Sequence, residues 1–398
     1  MNAHSAASPS VTTSSRPLRI LVTGGGTAGH ISPALALIAT LQELEPSAKF
    51  QYIGSRAGME QKQVEATGVP FIPVSTGKLR RYLSAENVAD WFRVPLGIAQ
   101  SRGAIQRFAP DVVLATGGYV AVPPVVAAGL LRIPILIHEQ TTQIGLANRI
   151  CARFASKIAL SWDAALAHLE PNLRAKAWVA GNPVRPQIFG GIAPKAVRHF
   201  GLSDEWLPVV YITGGSLGAR VLNCAVEECL PDLLKVARVI HQCGSQENES
   251  ERDFDRLTRA RLLLSPELQR RYAVTPFVKD ELKDVFALAE LVIGRAGAGT
   301  VSELCALGKA ALYVPLVPTG GDEQTKNARM AEEVGAARVL KQDECDGPNL
   351  LGAIRELLGD KSGLKAMEDA AKTLAKPNAG REIARAVLEL ARGSYQGQ

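Results

Sequence analysis

The stretch ILVTGGGTAGHISP, residues 20–33, constrains the chain most. Its apolar opening, Ile20, Leu21 and Val22, reads as a buried parallel strand. Gly24, Gly25, Gly26 and Gly29 follow at once, and a helix is predicted to begin near residues 31–33, with Pro33 tolerated in its first turn. Strand, glycine turn and helix together point unpaired backbone N–H groups at an anion. Glycine lets the backbone approach a phosphate without a Cβ in the way. His30 stands at the mouth of the helix, where an imidazole can do proton chemistry or simply cap the helix. The same glycines fit the dinucleotide fingerprint G-x-G-x-x-G, which also wants an acid about twenty positions on. The predicted second strand, residues 49–53, runs instead into Gly54, Ser55 and Arg56, so a nicotinamide or flavin reading fails.

A chain of 398 residues exceeds one ordinary domain and suggests two. A net charge of +6 suits anionic substrates or an anionic membrane surface. The charge is too diffuse, and too little interleaved with aromatics, for a nucleic-acid partner. The six cysteines form no C-x-x-C pair, which argues against a disulfide or metal framework and for a reduced, cytoplasmic setting. With no Asp-x-Asp pair on a strand end and no His/Cys cluster, no protein-held metal is implied. There is no G-x-S-x-G elbow, so acyl transfer is disfavoured. Residues 1–16 are rich in Ser, Thr and Ala and lack an apolar core, so they read as a disordered tail and not a signal peptide. Residues 112–131 carry no charge over twenty positions, near the length of a membrane span. Gly117, Gly118, Pro123 and Pro124 interrupt them, and strand, glycine loop and buried helix is the better reading.

Strands are predicted at 49–53, 68–74 (an edge), 111–115, 133–138, 158–161 and 177–180, with helices between. Residues 181–186, GNPVRP, read as a linker. A second alternation follows, with strands at 208–213, 239–242, 272–278, 291–293 and 311–314. The fold class is therefore α/β, with two Rossmann-like, doubly wound parallel-sheet domains facing a cleft. The domains are 17–182 and 183–378, with a C-terminal helix in 379–398 packing back on the first. Glycine loops at the strand ends of both halves imply two phosphate-bearing ligands.

Several residues carry two readings. Thr300 and Glu303 fit a capping box, or Glu303 accepts hydrogen bonds from a ribose. Ser216 in GGSLGAR caps a helix or joins the backbone in holding a diphosphate. Arg185 is a linker cation or a diphosphate counter-charge. Gln324 and Asn327 read a sugar's hydroxyls or face water. Glu139 is a second base candidate after His30. Residues 78–108 mix aromatics with Lys and Arg, as an interfacial membrane patch or as an amphipathic helix pair.

These motifs together resemble the MurG family of peripheral membrane glycosyltransferases. The resemblance runs from about residue 19 onward and rests on TGGGTAGHISP, TGGYVAVP, HEQ followed by Gly145, Leu146, Ala147 and Asn148, then GNPVR, GGSLGAR, RAGAGTVSE and GGDEQTKNA. It implies the GT-B fold and an inverting transfer of N-acetylglucosamine from UDP-N-acetylglucosamine to the C4 hydroxyl of lipid I, giving lipid II for peptidoglycan. It implies a donor site of Arg185, Ser216, Val278, Ala298, Gly299, Thr300, Val301, Ser302, Glu303 and Gln324, reached from the first domain by Thr27, Ala28, Gly29 and Thr141. It implies that Gly25, Gly26, Gly117, Gly118, Tyr119 and Asn148 hold the acceptor diphosphate, and it sets His30 near the attacking hydroxyl as the catalytic base, with Glu139 kept as the second catalytic candidate. It shifts 78–108 toward the interfacial reading, with Leu79, Tyr82, Leu83, Trp91 and Phe92 facing the bilayer. No cofactor is implied beyond a divalent ion accompanying UDP. The implied location is the cytoplasmic face of the bacterial membrane, beside other cell-wall synthesis proteins. Two departures stand out: Thr141 replaces the family's usual Asn, and Ala28 stands where glycine is common. A UDP-sugar 2-epimerase, or a non-catalytic nucleotide-sugar-binding protein, are the competing readings.

Overall fold

The computed structural model describes residues 16–56, 58, 60–77, 85–245, 252–317 and 322–393, and for 28 and 85–92 it describes the backbone alone. The first domain is a seven-stranded, all-parallel sheet of order β3-β2-β1-β4-β5-β6-β7. Its strands are β1 (Arg19–Thr23), β2 (Lys49–Ser55), β3 (Phe71–Val74), β4 (Val112–Ala115), β5 (Ile135–Glu139), β6 (Lys157–Leu160) and β7 (Ala177–Val179). The second is a six-stranded parallel sheet of order β10-β9-β8-β11-β12-β13. Its strands are β8 (Val209–Thr213), β9 (Arg238–Gln242), β10 (Tyr272–Thr275), β11 (Leu291–Gly294), β12 (Ala311–Tyr313) and β13 (Ala337–Val339).

Both sheets are covered on both faces, which is why the strands read as continuous apolar runs. Period-2 alternation divides each run between two cores. Ile20, Val22 and Leu114 pack on one side of the first sheet, with the helix Ala28–Leu44 and the C-terminal helix Ala379–Ala391. Leu21, Val113 and Ala115 pack on the other side, against the helices Ala85–Phe108 and Val122–Leu130. The second sheet divides likewise: Val210, Ile212 and Ile293 face one core, and Tyr211, Val292 and Tyr313 the other. Ile383, Ala384, Val387 and Leu388 seat the last helix in the first domain's core although they follow the second domain in sequence.

Strand order reverses between β1 and β4 in the first sheet and between β8 and β11 in the second. Ligands of open α/β sheets bind at such switch points, beyond the carboxyl ends of the strands. The glycine-rich loops after β1, β4, β8 and β11 lie at these two places.

Several expectations need adjustment. The first helix starts at Ala28, so His30 lies in its first turn and Pro33 inside it. The stretch 78–108 is not a helix pair in its described part, which is one helix, Ala85–Phe108, with Pro95 inside it. Strand β13 was not foreseen, because its three residues are too short to show a period. Of the expected tail, 1–15 lie outside the described residues, whereas Arg16 pairs with Asp111 at 2.5 Å. Leu79, Tyr82 and Leu83 also lie outside the described residues, as do the side chains of Trp91 and Phe92. No described helix is long and apolar enough to cross a membrane.

Candidate active site

The loops after β1 and β4 are built as one unit. Gly25 N–H donates to the Gly117 carbonyl at 3.2 Å. Gly118 has φ +78°, and a Cβ there would lie 2.1 Å from the Gly25 oxygen. Only glycine fits both that dihedral and that approach. Gly26, at φ +87°, leaves room for the ring of Tyr119. Thus Gly25, expected to offer its N–H to a diphosphate, spends it inside the loop pair. Thr27 N-caps the first helix by conformation alone, without a side-chain hydrogen bond.

His30 is half-buried and anchored from behind. Its Nδ1 lies 2.8 Å from Gln140 Oε1 and 3.0 Å from the Thr116 carbonyl. Among the described residues its Nε2 has no hydrogen-bond partner. It is therefore not a capping histidine, and one nitrogen remains for chemistry. Gln140 sits just past β5, beside the buried His138. Burial drives the His138 pKa down to about 4, outweighing its hydrogen bond to the Gly181 carbonyl. It is therefore neutral near pH 7.

Glu139 is placed differently from the base that sequence reasoning offered. It is buried, and its Oε1 accepts from Thr141 N and Oγ1 at 3.0 and 2.9 Å. Its Oε2 accepts from Gly145 N and Asn148 Nδ2 at 3.1 and 2.9 Å. With three N–H donors on its two oxygens, and the Thr141 hydroxyl proton shared between it and the Gln143 carbonyl, the carboxylate locks the loop after β5 and is committed to the protein. The same bonds correct Thr141 and Asn148. The Thr141 hydroxyl is held by Glu139 and the Gln143 carbonyl, and the Asn148 amide NH₂ by Glu139 and the His138 carbonyl.

In the second domain, the helix Ala298–Leu307 follows β11 with Gly297 as N-cap. The capping-box reading of Thr300 and Glu303 therefore falls, since both lie inside the helix. The N–H groups of Ala298, Gly299 and Thr300 belong to its open first turn. Val301 is fully buried in the core, so only its backbone can serve a ligand. Ser302 is buried, with its Oγ unpartnered. Glu303 instead meets Arg185, whose Nε donates to Oε1 at 2.8 Å. Burial disfavours the guanidinium's charge, but this pairing outweighs it and raises the Arg185 pKa. One oxygen of Glu303 is thereby oriented from the linker, and the other has no hydrogen-bond partner among the described residues.

Ser216 lies exposed in the loop after β8, and the helix Arg220–Leu233 is N-capped by Ala219, so Ser216 is not a cap. Val278 is buried and donates its N–H to Gln242 Oε1 at 2.9 Å, so that N–H serves the protein. Gln324 Oε1 accepts from Leu316 N at 3.0 Å. Asn327 is buried rather than facing water, and its amide donates to the Ala296 carbonyl. Across the domains, Lys326 Nζ reaches Gln143 Oε1 at 2.8 Å, and the helices Ala28–Leu44 and Ala298–Leu307 touch.

Two supporting residues escaped sequence reasoning. Gln242 ties the loop after β8 to Val278: its amide donates to Thr213 Oγ1 and the Gly215 carbonyl, and its oxygen also accepts from Tyr211. Glu60 is fully buried, accepts from Ser55 N at the end of β2, and backs onto Gly25. It brings an acid to the strand end where the sequence shows none, from a helix five residues later. Among the described residues, no cluster of His, Cys, Asp or Glu has the shape of a metal site.

The model of the glycosyltransferase family 28 N-terminal domain matches residues 20–160, and that of the family 28 C-terminal domain matches 209–383. A relative from Clostridium botulinum is 34% identical over 86% of this chain and 92% of its own length. Its name is UDP-N-acetylglucosamine–N-acetylmuramyl-(pentapeptide) pyrophosphoryl-undecaprenol N-acetylglucosamine transferase. A protein of the same name from Lachnoclostridium phytofermentans is 37% identical over 88% of this chain and 94% of its own. This chain belongs to the MurG family. The crystal structure of Acinetobacter baumannii MurG superposes with a TM-score of 0.70 at 27% identity, covering 94% of this chain and 100% of that one. A UDP-N-acetylglucosamine 2-epimerase structure gives 0.65 at 15% identity and shares the fold alone. Membership of the MurG family makes the chain a glycosyltransferase with the GT-B fold.

Proposed function

We propose that this enzyme moves N-acetylglucosamine from UDP-N-acetylglucosamine to the C4 hydroxyl of lipid I, releasing UDP and giving lipid II. The match to relatives named for this transfer, across both domains and over nine-tenths of their length, carries the reading. The geometry supports particular roles within this reading. The first turn of the helix Ala298–Leu307 and the loop after β8 form the cradle for the donor's diphosphate. Glu303, steadied by Arg185, accepts from the ribose hydroxyls. The loops after β1 and β4, with Gly26, Gly117, Gly118 and Tyr119, face the acceptor.

In this reading His30 Nε2 takes the proton of the attacking hydroxyl as the C4 oxygen displaces UDP from the anomeric carbon. The proton rests on the imidazole, and the pair of electrons leaves with UDP. Attack from the face opposite UDP inverts the anomeric centre. Glu139 and Thr141 serve by holding the loop that carries Gln140. The helix Ala85–Phe108 and its approach meet the anionic cytoplasmic membrane surface, where the acceptor's lipid resides, beside other cell-wall enzymes. A divalent ion carried by UDP contributes charge neutralisation, and removal with EDTA tests that contribution.

The test is product stereochemistry. Incubation with a lipid I analogue should yield a disaccharide with a β-linked N-acetylglucosamine, read from its anomeric proton coupling. An α-linked product would overturn the single-displacement reading.

A further inference from the structure

The hydrogen bonds behind His30 admit one arrangement of protons. The Gly181 carbonyl can only accept, so it takes the proton of His138 Nε2, 3.1 Å away. Ser161 Oγ lies 3.2 Å from the same nitrogen but has given its own proton to the Glu139 carbonyl, so it accepts too. His138 is neutral, and its Nδ1 is therefore bare and calls for a donor. Gln140 Nε2 faces it at 3.2 Å and also lies 2.6 Å from the Thr116 carbonyl. Both neighbours accept, which fixes the Gln140 amide with its NH₂ toward them. Its Oε1 is thereby turned to His30 Nδ1, which also faces the Thr116 carbonyl. Two acceptors against one ring nitrogen require that nitrogen to carry the proton.

We propose that Gln140, set by His138, is a positioning residue that holds His30 in its Nδ1–H tautomer and so keeps Nε2 as the bare, proton-accepting nitrogen. The inference rests on the reading of His30 as the base. It gives Gln140 a task distinct from substrate binding. After proton transfer the same two carbonyls accept from Nδ1–H of the imidazolium. The chain of bonds starts at Gly181, in the linker between the domains, so the reactive nitrogen is oriented from the point where the two halves join.

The test uses the full-length enzyme with ¹⁵N-labelled histidine and two-bond ¹H–¹⁵N correlation spectra, with His30 identified by its loss in His30→Gln. The expected spectrum shows His30 with a protonated Nδ1 and a bare Nε2. In Gln140→Leu that preference should collapse to a mixture, while kcat falls about tenfold or more and KM for UDP-N-acetylglucosamine stays within about twofold. A protonated Nε2 in the wild-type enzyme overturns the inference. So does a folded Gln140→Leu protein that keeps both the tautomer and kcat. Turnover of His30→Ala is measured separately: an unimpaired rate would remove the base reading while leaving the tautomer assignment to the spectra.

Discussion

At the scale of single residues, the site separates groups with a polar atom left for a ligand from groups whose polar atoms are spent on the protein. His30 has one nitrogen tethered and one free, whereas Glu139 has every oxygen engaged. Replacing His30 with Ala should lower kcat by about a hundredfold or more with little change in KM for the donor, read by steady-state kinetics. Glu303→Ala should act the other way, raising KM for UDP-N-acetylglucosamine about tenfold, the equivalent of about 1.4 kcal/mol. The sequence made His30, Arg185 and Glu303 visible because their types and places in glycine-rich loops suit the chemistry. It did not separate Glu139 from a base, because saturation by Thr141, Gly145 and Asn148 depends on how the loop folds back on itself. A pH effect belongs to this scale as well. His138 and His241 are buried neutral, with pKa values pushed by desolvation to about 4 and about 3. Below about pH 6.5 the unfolded chain binds protons that these two native imidazoles refuse, so stability falls as the pH drops toward their folded values. Near pH 5 these two histidines should together contribute up to about two protons to the slope of unfolding free energy against pH. Urea unfolding at pH 7, 6 and 5 reads that slope, and a flat line would contradict it.

At the scale of elements, the working parts are loops held by buried amides and glycines. Gln242, at the end of β9, satisfies the Val278 N–H, the Thr213 hydroxyl and the Gly215 carbonyl at once. Gln242→Leu strands these groups and should cost about 2–3 kcal/mol of stability, seen as a lowered Tm. It should also loosen the donor loop, raising KM for UDP-N-acetylglucosamine; an unchanged Tm would refute the role. Most of the strands were legible because runs such as 209–212 and 291–293 are apolar and reach a glycine within two residues. Helix starts were less legible. Thr300 looked like a cap, but Gly297 takes that place because the strand ends at Gly294 and the chain needs only three residues to turn. Glu60 went unseen because it serves β2 from a different element.

At the scale of the molecule, two parallel sheets place their switch points toward one another through the linker, the contact of the helices Ala28–Leu44 and Ala298–Leu307, and the Lys326–Gln143 bond. The last helix returns to the first domain, so the chain crosses between the halves twice. With the donor bound by one half and the acceptor by the other, as proposed above, neither half should turn over alone. The most direct test is the initial rate of UDP release from UDP-N-acetylglucosamine with and without a lipid I analogue. Release should depend on the acceptor and match the disaccharide formed. Release without acceptor, accompanied by free N-acetylmannosamine, would contradict it and make the protein an epimerase; tight donor binding with no turnover under either condition would contradict it as well.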